Sequence, residues 1–147
     1  MEAKTGNFYQ VGVRQIKTLE DGRDAKVTEN LVVEAQSWSE CEANTIGNYD
    51  PISEDFSIPT MKKAGFNEIF TSENDEDNKY YECSLTFITI DETSAKEKRS
   101  KNKYLVQASS IEKARKNIDE VMKDSMVDYT INCIKETAIS EIVFSGK

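Results

Sequence analysis

The sequence predicts an α+β protein of two tandem strand-strand-helix-strand repeats related by a pseudo-twofold axis, with a mainly antiparallel sheet covered by two helices. Three observations predict it: an internal duplication, strands of alternating apolar residues, and a serine-glutamate pair before each helix. Residues 8–70 and 80–144 are predicted to be the two copies, joined by an acidic linker at 71–79 within one domain, 1–147. A shift of 73 positions places Val33 on Val106, Ala35 on Ala108, Ser37 on Ser110, Asn44 on Asn117, Asp55 on Asp128, Ile58 on Ile131, Lys62 on Lys135 and Ile69 on Ile142.

The first copy opens with two strands joined by a tight turn. Tyr9, Val11 and Val13 alternate with polar or small residues, which is typical of a half-buried strand. Asp21-Gly22 predicts a hairpin turn, because glycine accepts the positive φ that such turns require. The returning strand is predicted to face inward with Val27, Leu31, Val33 and Ala35.

A helix and a third strand complete the first copy. Ser37 and Glu40 form a capping box, in which the serine hydroxyl accepts a free amide of the first helical turn. Pro59 predicts that the third strand lies at a sheet edge or is bulged, because proline has no amide to donate. The helix is predicted to bury Trp38, Cys41, Thr45 and Tyr49 and to end at Gly47, Asn48 and Pro51, and the strand after Asp55 to place Phe56, Ile58 and Thr60 on one face.

The acidic run at residues 71–78 separates the two copies. Its composition is typical of a solvated linker. A calcium-binding loop is the sharper interpretation, but the glycine of the tight turn and the spaced terminal glutamate are missing. We therefore predict a linker.

The second copy repeats the plan with a stronger helical pattern. Ser109 and Glu112 form its predicted capping box, and a longer loop at 91–100 joins its first two strands. The inward residues are predicted to be Tyr81, Cys83, Leu85 and Phe87, then Tyr104, Val106 and Ala108, then Ile111, Ala114, Ile118, Val121 and Met122 on the helix, and finally Tyr129, Ile131 and Cys133.

The composition is typical of an acidic, soluble globular protein. The net charge of −8 repels polyanions, so nucleic-acid binding requires a local basic patch. No signal peptide is recognisable and no run approaches the roughly 18 apolar residues of a membrane span, which predicts a cytoplasmic protein without a membrane partner. Cys41, Cys83 and Cys133 form no C-x-x-C pair and fall on inward positions, so we predict buried free thiols.

The chain has no histidine, and this absence removes several classes of enzyme chemistry. Histidine-paired nucleophiles, histidine acid-base catalysis and histidine-ligated zinc all require that residue. No glycine-rich phosphate loop is present. Asp55 and Asp128 recur in both copies and make a metal-dependent carboxylate enzyme the third hypothesis, but a structural role at the start of each last strand is favoured. We predict no enzyme activity, no metal and no cofactor.

The candidate binding site is a basic hairpin in the second copy. Residues 96–103 carry five basic side chains and one acid beside aromatic strands, and single-strand binders combine phosphate contacts with base stacking in this way. The alternative is a solvated hairpin with aromatic residues in the core. The candidate residues are Lys96, Lys98, Arg99, Lys101, Lys103, Tyr80 and Tyr104, with Tyr81 and Phe87 on the same strands and Lys62 and Lys135 as a further pair that either binds or keeps an edge soluble.

The segments Val27–Ala35, Leu105–Ser110 and Asp128–Ile139 resemble a family of small proteins of unknown function found in Bacteroides-type bacteria and their phages. The resemblance covers nearly the whole chain and supplies no active-site residues. It implies a phage or bacterial protein in the cytoplasm of the host cell.

Two functions of different kinds follow. The first hypothesis is a non-catalytic protein that binds single-stranded nucleic acid or a replication-associated partner. The alternative is a phage counter-defence protein that sequesters a host protein or a nucleotide signal in the cleft between the repeats, with a homodimer as one expected form.

Overall fold

A computed structural model of the chain describes residues 1–49 and 55–145. These residues form nine strands and two helices, which confirms the α+β class. The elements are β1 (Glu2–Lys4), β2 (Phe8–Thr18), β3 (Asp24–Glu34), α1 (Trp38–Asn48), β4 (Ser57–Lys63), β5 (Glu68–Thr71), β6 (Lys79–Ile90), β7 (Glu97–Ala108), α2 (Ile111–Met122), β8 (Asp128–Glu136) and β9 (Ile139–Val143). Within the described ranges, no helix is both long and apolar enough to span a bilayer. Pro51, predicted to end the first helix, lies outside these ranges.

The contacts divide the chain into two compact units. Unit one contains Met1–Thr5 and Phe66–Thr137, and unit two contains Gly6–Gly65 and the chain from Ala138 onward. The strand order is β1-β5-β7-β6-β8 in unit one and β4-β2-β3-β9 in unit two. Both sheets are mixed, because each combines antiparallel neighbours with one parallel pair.

The core of unit one lies between its sheet and α2. Side chains alternate between the two faces of a strand, so every second residue of the β6–β7 hairpin meets the helix. Phe87 and Val121 are only partly buried, and Ile111, predicted to be buried, is 52% exposed because it is the first helical residue. The buried residues of this core are Phe70, Tyr81, Cys83, Leu85, Tyr104, Val106, Ala108, Ala114, Ile118 and Met122.

The core of unit two repeats this layout around α1. Its buried residues are Tyr9, Val11, Val13, Leu31, Val33, Ala35 and Cys41. Trp38, predicted to be buried, is 49% exposed and packs edge-on against Tyr9 with ring centroids 4.8 Å apart. Thr45 is fully buried and satisfies its hydroxyl by donating to the carbonyl of Cys41 at 2.8 Å.

Three short strands, β1, β5 and β9, belong to the unit that is built mainly from the other half of the sequence. β1 pairs with β5 in unit one. β5 follows the first helix in the chain but pairs in parallel with β7, with Ile69 opposite Leu105. β9 closes the second half but pairs in parallel with β3, with Ile142 opposite Val32. Each compact unit therefore includes a strand from the other half of the sequence.

Serine caps the N-terminus of both helices. The Ser37 hydroxyl accepts from the amide of Glu40 at 3.1 Å, as predicted. In the second helix the cap is Ser110, which accepts from the amide of Lys113 at 3.1 Å, so the prediction of Ser109 was wrong by one residue. Ser110 is the residue that the shift of 73 positions aligns with Ser37.

Bulges in β4 and β8 correct two predictions of inward residues. The register shifts opposite the pair Ser84/Leu85, so that Ser84 faces Cys133 but Leu85 faces Ile131. The extra residue turns Cys133 outward, where it is exposed, and Thr60 is exposed next to the corresponding bulge in β4. Pro59 lies at that bulge, and β4 is an edge strand, so both outcomes predicted from Pro59 occur.

The acidic run connects β5 to β6 within unit one as an ordered loop. The side chain of Gln107 fixes both ends of this loop. It accepts a hydrogen bond from the Ser72 amide at 2.9 Å and donates one to the Asp77 carbonyl at 2.8 Å. Asp77 is only 3% exposed, and one of its carboxylate oxygens accepts from the Ser72 hydroxyl. Its other carboxylate oxygen has no hydrogen-bond partner in the part of the chain that the structure describes.

Candidate functional site

The basic segment, residues 96–103, lies on the outer half of β7 and the turn before it. Two of its cations form ion pairs: Arg99 with Glu97 at 3.5 Å and Lys103 with Glu82 at 3.6 Å. All five of its basic side chains are exposed: Lys96, Lys98, Arg99, Lys101 and Lys103. Within residues 1–49 and 55–145, Lys96, Lys98 and Lys101 have no carboxylate in ion-pair range.

The cations divide between the two faces of the sheet. Arg99 is opposite Ile88, Lys101 opposite Thr86 and Lys103 opposite Ser84, and directly opposed residues share a face. These three side chains therefore line the face away from α2. Lys98 alternates to the other face, so the structure brings together three of the five predicted cations as a row.

The aromatic residues predicted beside this row lie elsewhere. Tyr104 and Tyr81 face α2 and are 6% and 1% exposed, so their ring faces are inside the core. Tyr80 shares the face of Arg99 and is partly buried, but it is opposite Gln107, roughly 13 Å along the strand from the Lys103 position. The row of cations is thus not interleaved with aromatic rings.

Glu82 anchors the inner end of the row. Its carboxylate receives Lys135 at 2.9 Å and Lys103 at 3.6 Å, and its side chain is 15% exposed. Burial alone would raise the pKa of Glu82, but the hydrogen bond from Lys135 and the charge of Lys103 outweigh it and hold the pKa below its ordinary value of 4.5. Lys135 is therefore engaged with unit one's own carboxylate, whereas Lys62 is exposed on β4 opposite Gln10.

An aromatic cavity opens on the other side of the same sheet, at the C-terminal end of α2. Its volume is about 720 Å³. Phe70 and Phe87 flank Tyr104, with ring centroids 5.5 Å and 6.4 Å from it. The remaining lining residues are Met1, Ala3, Glu68, Glu120, Val121, Met122, Lys123, Asp124 and Ser125.

Tyr104 contributes a polar group to this cavity. Burial, followed by the charge of Glu68, raises the pKa of the Tyr104 phenol, which therefore stays neutral and retains its proton. No residue of the described chain forms a hydrogen bond with this hydroxyl. Tyr129, by contrast, donates to Asp119 at 2.9 Å.

The sequence patterns did not predict this cavity or the acidic residues Glu68, Glu120 and Asp124 that line it. Phe70 and Glu68 reach Tyr104 only because β5 pairs with β7, and the two segments are far apart in the chain. The one available signal was the aromatic content of residues 70, 87 and 104, which periodicity assigned to a core.

The two carboxylates considered for catalysis belong to different units. Asp55 and Asp128 are both exposed. Among the described side chains, no three Cys, Asp or Glu residues come together in an arrangement that could hold a metal ion.

Comparison with known proteins gives one result. The family described as a domain of unknown function, DUF4494, matches residues 7–145. No curated protein and no solved structure matches the chain.

Proposed function

Since this chain belongs to the DUF4494 family, whose description assigns no activity, we propose from its surface that it is a non-catalytic binding protein of a phage or its bacterial host. Its ligand in this proposal is single-stranded nucleic acid, held through the basic segment. The observation that carries the proposal is the row of Arg99, Lys101 and Lys103 on one sheet face. Lys98 adds an exposed cation on the opposite face of the same strand, and Lys96 adds one in the turn before it.

The charge state of this segment supports the proposal. An exposed cation without a paired carboxylate loses little when it binds a phosphate, because no internal ion pair has to break. Lys96, Lys98 and Lys101 meet this condition among the described residues. Among the described residues, Arg99 forms an ion pair only with its own strand neighbour Glu97, at 3.5 Å, and both side chains are more than half exposed.

We also propose that the two units are copies of one ancestral repeat, related by a pseudo-twofold axis. Register supports it: Ile16 is opposite Lys26 in the first hairpin, and Ile88 is opposite Arg99 in the second. Lys26 and Arg99 are related by the shift of 73 positions, and Ile16 and Ile88 by a shift of 72, because the first turn differs in length by one residue. The next outward positions are Thr28 and Asn30 in β3 but Lys101 and Lys103 in β7. The second hairpin therefore carries two cations at positions where the first has neutral side chains.

Backbone contact, rather than base stacking, is the expected mode of binding. Stacking platforms need exposed ring faces, and Tyr104 is 6% exposed. We expect weak sequence preference and strong salt dependence, with a slope of roughly 0.7 per neutralised phosphate on a log-log plot.

Fluorescence anisotropy with a labelled single-stranded oligonucleotide at low salt tests the proposal. The variant carries Lys98→Glu, Arg99→Glu and Lys101→Glu. The matched control carries Lys17→Glu, Arg23→Glu and Lys26→Glu on the first hairpin, so that both proteins have the same net charge. We expect the first variant to lose binding and the salt slope to fall, while the control retains most of the wild-type affinity. Absence of wild-type binding at low salt, or an equal loss in both variants, would reject the proposal.

A further inference from the structure

We propose that the nucleic-acid site continues across the unit-one sheet to Lys135 on β8, and that Glu82 restrains binding there by keeping two lysines from phosphate. The two lysines are Lys103 of β7 and Lys135 of β8, the inner lysines. This inference rests on the proposed function, because it concerns the same ligand and the same sheet face.

The strand register places both inner lysines on the face that carries the cation row. Lys135 is directly opposite Glu82 of β6, and Lys103 is opposite Ser84, two residues further along the same strand. Residues two apart on a strand share a face, so both lysines lie on the side away from α2. Because β7 and β8 flank β6, their backbones are about 10 Å apart, and the positive surface extends over three strands.

Glu82 is the one acid placed among these lysines. Ser84 and Cys133 are opposite each other beside the pair of Glu82 and Lys135, and both are neutral polar residues. On the described strands β6, β7 and β8, the other acids of this face are Glu97 and Asp128, which lie toward the hairpin loop. A phosphate that approaches the inner lysines therefore meets the carboxylate of Glu82.

This carboxylate holds both inner lysines at once. Its Oε2 lies 2.9 Å from Lys135 Nζ, and its Oε1 lies 3.6 Å from Lys103 Nζ. The lysine side chains are 65% and 57% exposed, whereas that of Glu82 is 15% exposed. If a phosphate drew either lysine away, a largely buried carboxylate would lose a partner, which costs more than breaking an exposed pair.

The pair of Arg99 and Glu97 provides the contrast within the same face. Both of these side chains are more than half exposed, so water replaces the lost partner when Arg99 turns to a phosphate. We therefore expect Arg99 and Lys101 to contact phosphate in the wild-type protein and the inner lysines to contribute little. Without the charge at position 82, both lysines become available to the ligand.

Fluorescence anisotropy of the full chain with a labelled single-stranded oligonucleotide, measured over a range of salt concentrations, tests the inference. The variants are Glu82→Gln and the double variant Glu82→Gln with Lys135→Gln. Glu136→Gln is the matched control, because it makes the same change in net charge beside Lys135 but on the α2 face, where Glu136 pairs with Lys79 at 3.3 Å. Thermal melts establish that each variant is folded at the assay temperature.

We expect Glu82→Gln to bind about tenfold more tightly than the wild type at low salt, with a log-log salt slope steeper by up to about 1.4, or roughly 0.7 for each added phosphate contact. Adding Lys135→Gln should remove about half of that increase in slope, and Glu136→Gln should leave the slope unchanged. Bound oligonucleotide should also slow the reaction of Cys133 with a thiol reagent in the Glu82→Gln protein, because Cys133 lies two residues from Lys135 on the same face.

Two results would overturn the inference while the proposed function stands. The first is wild-type binding that Glu82→Gln strengthens no more than Glu136→Gln does. The second is a Glu82→Gln complex in which Cys133 reacts as fast as in the free protein. Absence of binding by the wild type and by Glu82→Gln alike would reject both the inference and the proposed function.

Discussion

Asn44 and Asn117 make the same hydrogen bond in the two units. Asn44 donates from its side-chain amide to the carbonyl of Glu34 at 2.9 Å, and Asn117 donates to the carbonyl of Gln107 at 3.1 Å. Each bond fixes a helix to the end of the strand that precedes it. The acceptor in each case lies ten positions before the donor.

Replacement of Asn117 by alanine is expected to destabilise the protein by about 1–3 kcal/mol, because Asn117 is only 4% exposed and its removal leaves the Gln107 carbonyl without this hydrogen bond. Asn44→Ala should cost less, since Asn44 is partly exposed. Urea denaturation measures both, with exposed Asn78→Ala as the control. An Asn117→Ala variant as stable as the control would show that the bond does not hold the helix.

The exchange of β5 and β9 predicts that damage to one half of the sequence appears in the other. Ile69→Ala removes a fully buried side chain and should cost about 2–5 kcal/mol. Hydrogen exchange should then accelerate at residues 104–106 of β7, the partner of β5. Ile142→Ala should instead accelerate hydrogen exchange at residues 31–33 of β3, the partner of β9. If protection is lost mainly within the half that carries the mutation, the strand pairing is wrong.

Glu82 predicts an acid-sensitive contribution to stability. Lys135 and Lys103 hold its folded-state pKa below the ordinary 4.5, so its contribution is complete above that pH and is lost as the pH falls through the lowered value. Glu82→Gln should therefore destabilise the protein by about 1 kcal/mol at pH 7 and by progressively less below pH 4.5. Denaturation curves at several pH values test this, with the exposed Glu97→Gln as reference. A constant difference across the acid range would contradict it.

The bulge in β8 predicts one reactive thiol in the native protein. Cys133 is exposed, whereas Cys41 and Cys83 are buried, and burial raises the pKa of both buried thiols, that of Cys83 to about 12. A thiol reagent should modify one cysteine in the folded protein and all three after denaturation. Cys133→Ser should abolish native labelling, and persistence of labelling would place Cys133 inward.

The two hairpin turns predict opposite effects of glycine. Gly22 adopts φ +85° and Ala95 adopts φ +57°, a conformation that costs alanine about 1 kcal/mol. Gly22→Ala should lower stability by about 1 kcal/mol, because no atom lies near the added methyl group and only the backbone is strained. Ala95→Gly should raise stability by a few tenths of a kcal/mol. Thermal melts of both variants provide the comparison, and changes of the same sign would contradict it.

Local signals predicted the hairpins and helices, because Ser37, Asp21-Gly22 and the alternation of β2 and β6 act over a few residues. They did not predict β1, β5 or β9, which are too short for alternation to be recognised and form only through distant partners. Cys133 was misplaced because a single extra residue reverses the faces of a strand.

The candidate site divides in the same way. The exposed cations of residues 96–103 follow from local charge, and the sequence identified them. Tyr104 is an odd number of residues from Arg99, Lys101 and Lys103. Because side chains alternate along a strand, it lies on the opposite face of β7 from all three. The cavity around it could not be predicted, because its walls come from β5 and the end of α2.

The position of β9 affects how the protein is made. A ribosome translates a chain from its N-terminal side, so every strand of the unit-one sheet is synthesised before Ile139–Val143. During that interval the open edge of β3, with the apolar residues Leu31, Val32 and Val33, has no neighbour. The sheet of unit two therefore cannot be completed until its last strand is synthesised, and until then this unpaired edge can aggregate or be captured by a chaperone.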